Sequence, residues 1–213
     1  MTDVYFDFLC PYAWRGVELA AVLRGQGEPF RLRFYSLVEG NHPDNAKELN
    51  WKLTDQPTDA EGGEGYMSYQ RPSLGAFLAA QAASQQGEEK AWAFTLALYR
   101  AHHEQKKELN EDTFVQAARD AGVDLTRWTK DRADENGLRA ALRREFDDAR
   151  EIGVFGTPTF VLPGGEAAYY RFENLTRDPQ AARERWTLFQ NVLHSDAGIG
   201  TIKRAKNRPP RKQ

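Results

Sequence analysis

The chain is short of sulfur and imidazole: it has one cysteine, Cys10, two methionines and four histidines in 213 residues. With one thiol, no intramolecular disulfide can form, and a lone thiol persists most easily in a reducing compartment. No apolar run approaches the roughly 18 residues of a membrane span. The opening residues, MTDVYFDFLC, carry no basic n-region, no apolar h-region and no small-residue cleavage site. The expectation is a cytoplasmic protein with no membrane partner.

An excess of either charge is also missing. Lys and Arg number 29 against 31 Asp and Glu, a net charge of −2, so the molecule as a whole is neither a nucleic-acid binder nor a trap for acidic substrates. The basic charge is concentrated at one end. Residues 203–213 (KRAKNRPPRKQ) hold six basic and no acidic residues, which leaves residues 1–202 at −8. With no apolar anchor and with Pro209-Pro210, this tail reads as a flexible solubilising extension. Its attraction for nucleic acid would be unspecific.

Aromatic and aliphatic residues are present in quantity. An apolar fraction of 40% with five Trp, eight Tyr and twelve Phe excludes disorder for most of the chain. The length suits one domain with an insertion, or two small lobes, and needs no disulfide staples.

Val4 to Leu9 (VYFDFL) reads as a buried strand interrupted by Asp7, followed at once by a helix with Pro11 in its first turn and Trp14, Val17, Ala20 and Ala21 at helical spacing. Phe30 to Leu37 alternates like a half-solvated second strand, which the short helical connection would set parallel to the first. Residues 38–71 read as a long loop with the flexible turn EGGEG at 61–65. From position 72 to 152 five helices are expected: Leu74–Gln86, Glu88–His103, Glu111–Gly122, Leu125–Asn136 and Gly137–Ile152. Asn110 and Asp124 are N-caps, and Gly87 and Gly122 are C-caps. In the last of these helices Leu138, Leu142, Phe146, Ala149 and Ile152 form one apolar stripe. Two strands (159–162 and 167–172) joined by Pro163-Gly164-Gly165 form a hairpin, and a helix over Asp178–His194 closes the fold. The organisation expected is an α/β core of residues 1–37 and 153–195, an inserted helical domain at 72–152 and a basic tail at 196–213.

Cys10 therefore sits where a strand enters a helix. Unpaired backbone N–H groups and the positive end of the helix dipole face a thiol there, and both favour the thiolate, which is the nucleophile. The alternative is a small buried hydrophobe at a strand end.

Two segments carry a family resemblance. Asp7-Phe8-Leu9-Cys10-Pro11-Tyr12-Ala13-Trp14 resembles the active-site turn of the DsbA-like thioredoxin superfamily, with its DsbA- and FrnE-type oxidoreductases. Gly153-Val154-Phe155-Gly156-Thr157-Pro158-Thr159-Phe160 resembles that family's cis-proline loop. The resemblance covers residues 3–195 and implies a thioredoxin-like fold with an all-helical insertion. It also implies Cys10 as catalytic residue and Pro11, Tyr12, Thr157 and Pro158 as substrate-binding residues. A cis-proline loop of this kind leaves the backbone of Thr157 free to pair with an extended peptide or a glutathione-like molecule.

Ala13, however, stands where a dithiol oxidase has its second cysteine. No other cysteine can resolve a mixed disulfide, so self-contained disulfide donation is excluded by counting. Pro11-Tyr12-Ala13-Trp14 also resembles the S-P-Y-x-[YW] turn of 2-hydroxychromene-2-carboxylate isomerases and kappa-class glutathione transferases, which have serine in place of Cys10.

Three functions follow. The first is a monothiol thiol-disulfide oxidoreductase whose Cys10 attacks a disulfide or glutathionylated substrate, resolved by an external thiol such as glutathione or another low-molecular-weight thiol. The second is a glutathione-dependent transferase or isomerase. The third is a non-catalytic peptide-binding or chaperone-like module. No bound cofactor or metal is expected, and the protein would be a monomer or homodimer. His102-His103 reads as a solvated helix end, His42 and His194 as isolated, and Asp7, three residues before Cys10, either as a group that tunes the thiol or, the favoured reading, as a strand-end carboxylate facing water or the helix dipole. Trp14 is placed in the core, Tyr12 at the rim of a cleft shared with Cys10 and Pro158, and Trp51, Tyr66 and Tyr69 in loop packing.

Overall fold

Val4, Tyr5 and Phe6 are wholly buried because their strand, β1 (Thr2–Phe6), is paired on both edges and covered on both faces. It pairs in parallel with β2 (Phe30–Phe34), Val4 opposite Leu32, and antiparallel with β3 (Thr159–Val161), Val4 opposite Phe160. The hairpin partner β4 (Ala167–Tyr169) completes a mixed sheet of order β2-β1-β3-β4. This computed structural model describes residues 1–58, 68–194 and 197–199. The expected EGGEG turn, Tyr66 and the basic residues 203–213 of the tail lie outside them.

Between β1 and β2 runs α1 (Pro11–Arg24), which packs on β1. The expected loop after β2 is not featureless. Leu37–Gly40 form a short helix, α2, and Pro43–Asn45 and Leu53–Asp55 form single 3₁₀ turns. Ser36 caps α2 by accepting the Glu39 N–H. The segment is pinned by Asn45, whose amide group bonds the Glu39 and Trp51 carbonyls and the Asn50 and Trp51 N–H groups.

Five helices follow: α3 (Gln70–Ser84), α4 (Glu88–Tyr99), α5 (Glu111–Asp120), α6 (Leu125–Ala133) and α7 (Glu135–Ile152). Asn110 and Asp124 cap α5 and α6 through the Thr113 and Arg127 N–H groups, as the sequence predicts. The helix expected over Glu88–His103 instead changes winding at Arg100, where Arg100–Glu104 make a π-helical turn.

Helix α7 corrects two expectations. Strand β2 keeps Arg31 exposed, as the alternation predicts, but Arg33 donates to Glu145 and Asp148 of α7 at 2.6 and 2.5 Å, so the helix covers the rest of that face. The apolar stripe of α7 runs through Leu138, Leu142, Phe146 and Ala149 but stops short of Ile152. That residue is 43% exposed beside the left-handed Gly153. Helix α8 (Pro179–Leu193), capped by Asp178, buries Ala182, Trp186 and Phe189. Phe30 and Phe160 pack there as rings tilted against Trp186, and Phe160 against Phe189, with centroids 5.0 to 5.5 Å apart.

Candidate functional site

The site is built on the turn that carries the chain from β1 into α1. Asp7 is fully buried there, not turned to water as the sequence suggested, because both its oxygens are taken by backbone. Oδ1 accepts the Leu9 N–H at 2.8 Å, and Oδ2 accepts the Leu37 N–H, across the turn that follows β2, at 2.7 Å. Burial pushes its carboxyl up to about 6, against the lowering effect of those two hydrogen bonds.

The α4 end of the insertion holds the same turn from above. Tyr99 donates its hydroxyl to the Asp7 carbonyl at 2.9 Å, and a ring nitrogen of His103 meets the Phe8 carbonyl at 2.8 Å. A carbonyl only accepts, so His103 Nε2 carries the hydrogen and Nδ1 the lone pair. His103 is half-buried and stacked on Trp14, with centroids 5.5 Å apart and planes at 11°. Burial pushes its imidazole down to about 4, so it is neutral at physiological pH. It is thus no solvated helix end: the π-turn swings it back onto the β1–α1 turn. Trp14 is half-buried and packs against the core rather than within it.

Cys10 is the N-cap of α1, with extended backbone (φ −90°, ψ 114°), and Pro11 follows at the first helical position. Its sulfur accepts the Ala13 N–H at 3.4 Å and donates to the Thr157 carbonyl at 3.3 Å. Only the protonated sulfur can make the second bond, so ionisation gives up Thr157 and keeps Ala13. The thiol is 7% exposed.

Thr157 and Pro158, joined by a cis peptide bond, lie against α1. The Thr157 hydroxyl is buried and has no hydrogen-bond partner among the described residues. Thus Cys10, Thr157 and Pro158 come together from positions nearly 150 residues apart.

Pro11 and Tyr12 diverge from that point. Pro11 lines a cavity of about 1070 Å³ with Leu9, Leu78, His103, Leu109 and Phe114, roofed by the insertion. Cys10, Tyr12 and Pro158 do not line it. Tyr69 lines the cavity and is 50% exposed, whereas Trp51 stacks on His42. Tyr12 instead lies under two guanidiniums. The Arg15 Cζ is 5.2 Å and the Arg171 Cζ 4.5 Å from its ring centroid. Arg15 follows Tyr12 at i,i+3 spacing on α1, a local signal that the sequence reading did not use, whereas nothing in local spacing brings position 171 or 103 to the start of α1. Among the described residues no group of three or more His, Cys, Asp or Glu could hold a metal ion, and no helix is long and apolar enough to cross a membrane.

A parallel βαβ start, an antiparallel hairpin and a cysteine capping the first helix opposite a proline loop define a thioredoxin-like protein with a helical insertion. The family model of the DSBA-like thioredoxin domain matches residues 1–177, and the chain belongs to that family. The cytosolic disulfide reductase DsbM from Pseudomonas aeruginosa, solved with GSH, is similar in fold. Its TM-score is 0.57 at 18% identity, over 89% of this chain and 98% of that one. A 2-hydroxychromene-2-carboxylate isomerase superposes with TM-score 0.60 at 17% identity, over 94% and 99%. The thiol-disulfide exchange protein alpha-DsbA2 from Wolbachia pipientis gives 0.52 at 16%, over 88% and 80%. No curated protein matches at the sequence level.

Proposed function

We propose that this protein is a monothiol thiol-disulfide oxidoreductase that acts through Cys10, with an external low-molecular-weight thiol as cosubstrate. The observation that carries the reading is the sulfur of Cys10 at the first turn of α1, 3.4 Å from the Ala13 N–H and 3.3 Å from the carbonyl of Thr157. The thiolate attacks one sulfur of a disulfide. A new bond forms between Cys10 and that sulfur, the old S–S bond breaks, and the departing sulfur takes up the proton that Cys10 lost. A second thiolate then attacks the mixed disulfide and releases Cys10, the role that a second cysteine at Ala13 would otherwise fill. Thr157, Pro158, Pro11 and Tyr12 form the surroundings in which the substrate binds. The likeness to a disulfide reductase solved with GSH supports glutathione, or a thiol of similar size, as that partner.

The test is intact-protein mass spectrometry after incubation with oxidised glutathione, together with turnover of a small glutathione mixed disulfide. One adduct that added thiol removes, and turnover that disappears in Cys10→Ser, are the expected results. An unreactive wild-type thiol would overturn the proposal.

The large cavity beside Pro11, lined by Leu78, Leu109 and Phe114 but also by Arg71, Lys106 and Arg132, favours a second reading, a glutathione-dependent isomerase or transferase whose second substrate occupies that cavity. Thiol-dependent conversion of an electrophile that survives Cys10→Ser would select it.

A further inference from the structure

Most arginines that the structure fixes in place are fixed by carboxylates. Arg24, Arg31, Arg33, Arg100, Arg132, Arg139, Arg143, Arg150 and Arg177 each have an acidic partner within 3.0 Å. The two that converge on Tyr12 are different. Arg15 is held by the Phe172 carbonyl, to which it donates at 3.2 Å, and Arg171 by the Tyr169 hydroxyl and the faces of Tyr12 and Tyr169, at 4.5 and 5.2 Å. Neither has an ion pair among the described residues. Both guanidiniums are therefore oriented on one tyrosine with no carboxylate partner among the described residues, which leaves their charge open to an anion.

Their position gives that anion a reason to be there. Tyr12 lies two residues beyond Cys10 in the first turn of α1, and Arg171 is exposed. Burial lowers the pKa of Arg171, while the hydrogen bond to the Tyr169 hydroxyl and negative charge on Tyr169, Tyr12 or Cys10 raise it. The net effect is upward.

We propose that Arg15 and Arg171 form an anion subsite beside the thiol that reads a carboxylate on the thiol or disulfide substrate, so that the protein selects acidic low-molecular-weight disulfides over neutral and cationic ones. This rests on the thiol-disulfide reading above and adds to it the charge of the substrate and the residues that recognise it. Guanidiniums suit the task because their planar fork matches a carboxylate in two parallel hydrogen bonds. In the exchange step Cys10–SH and R–S–S–R give Cys10–S–S–R and R–SH. The arginines take no part in the bonds made or broken; they raise the occupancy of the encounter that precedes them.

The experiment compares three simple alkyl disulfides that present the same reacting bond: 3,3′-dithiodipropionate (anionic), bis(2-hydroxyethyl) disulfide (neutral) and cystamine (cationic). The rate of adduct formation at Cys10 is read by intact mass, and each rate is divided by the rate of the same disulfide with free 2-mercaptoethanol. The wild type is expected to favour the anionic reagent over the neutral one by roughly tenfold at low salt. That preference shrinks as salt rises, since the screening length at 0.1 M is only about 10 Å.

In Arg171→Gln the preference falls several-fold, Arg171→Lys keeps part of it, and Arg15→Gln with Arg171→Gln brings the ratio close to one. Arg144→Gln, the same change of net charge at an exposed site on α7, leaves the ratio where it was. Normalised wild-type rates that do not depend on charge, or a preference that persists in the double variant, would overturn the subsite while leaving thiol exchange intact. If none of the three reagents adds to Cys10, the thiol-disulfide reading itself fails and the subsite with it.

Discussion

Gly16 and Pro158 occupy the same space: a Cβ on Gly16 would lie 2.7 Å from Pro158 Cγ and 2.9 Å from its Cβ. The proline loop can therefore rest on α1, and bring the Thr157 carbonyl to the Cys10 sulfur, only because position 16 has no side chain. Gly16 is buried one turn and a half beyond the thiol.

Gly16→Ala tests this contact with a sign that intrinsic preference would not predict. Gly to Ala inside a helix ordinarily gains up to about 1 kcal/mol. Here the added methyl must displace the backbone-linked ring of Pro158, an overpacking that costs about 1 to 3 kcal/mol. Net destabilisation in urea unfolding is expected, with slower adduct formation at Cys10 as the loop retreats. A more stable variant with unchanged thiol reactivity would show that the contact is not as tight as it stands.

Asp7 gives stability a pH dependence of unusual sign. Its folded carboxyl lies near 6 against 3.8 unfolded, so the folded state binds a proton that the unfolded state has already lost. The ionised group destabilises the fold above about pH 6, by on the order of 2 to 3 kcal/mol at about 1.4 kcal/mol per pH unit. That penalty fades as pH falls towards 4. Asp7→Ala lacks the penalty but leaves the Leu9 and Leu37 N–H groups without their acceptor at every pH. The stability gap between wild type and Asp7→Ala should accordingly widen in favour of the wild type from pH 7 to pH 4, measured by denaturant titration at each pH. A gap that narrows on acidification would mean the carboxyl is not raised.

His103 works in the opposite direction over the same range. Its imidazole is pushed down to about 4, chiefly by burial, so below about pH 6.5 the unfolded chain takes up a proton that the folded protein resists. Its contribution is lost as pH falls from about 6.5 to about 4. In His103→Phe, which keeps an aromatic ring against Trp14 but cannot donate to the Phe8 carbonyl, that acid-side loss disappears. At pH 7 the variant pays about 1 to 3 kcal/mol for the unpaired carbonyl. Titration of the His103 ring followed by NMR, with a midpoint near 4 rather than 6.5, is the direct check.

Much of the architecture was legible from residue pattern. The run before Cys10, the alternation of β2, the caps Asn110 and Asp124 and the Pro163–Gly165 turn are local signals; the caps and the turn lie where the sequence predicts, while β1 ends at Phe6 and β2 at Phe34, short of the expected Leu9 and Leu37. What was not legible depends on distant partners. Asp7 is adjacent in sequence to a helix N-terminus, which suggested exposure, but its second oxygen is claimed by Leu37, thirty residues on. Arg33 carries the polar mark of a solvated strand, yet α7 brings Glu145 and Asp148 over it. In the candidate site, Cys10, Thr157 and Pro158 could be found by resemblance. His103 and Arg171 could not, because only the folded chain brings 103 and 171 to the first turn of α1, and Arg15 was missed although it follows Tyr12 at i,i+3 spacing on that helix.

Glu18 is the anchor that ties the thiol helix to its surroundings. Its carboxylate is 1% exposed and receives Arg100 from the end of α4 at 2.8 and 2.9 Å and Arg177, just before α8, at 2.5 and 3.0 Å. Burial raises its carboxyl, but the hydrogen bonds and charge of the two arginines outweigh this and hold it near 2. The group thus stabilises the fold fully above about pH 4.5, and that contribution drains away as pH falls through 2. Glu18→Gln leaves two guanidiniums against a neutral amide. Removing one partner of a buried pair costs about 3 to 5 kcal/mol, and the lower end is expected here because the side chains of Arg100 and Arg177 are 43% and 42% exposed. The variant should unfold at lower urea concentration at pH 7 and converge with the wild type near pH 2. An unchanged midpoint at pH 7 would mean that the packing of α1 on β1, rather than this ion cluster, holds the thiol helix in place.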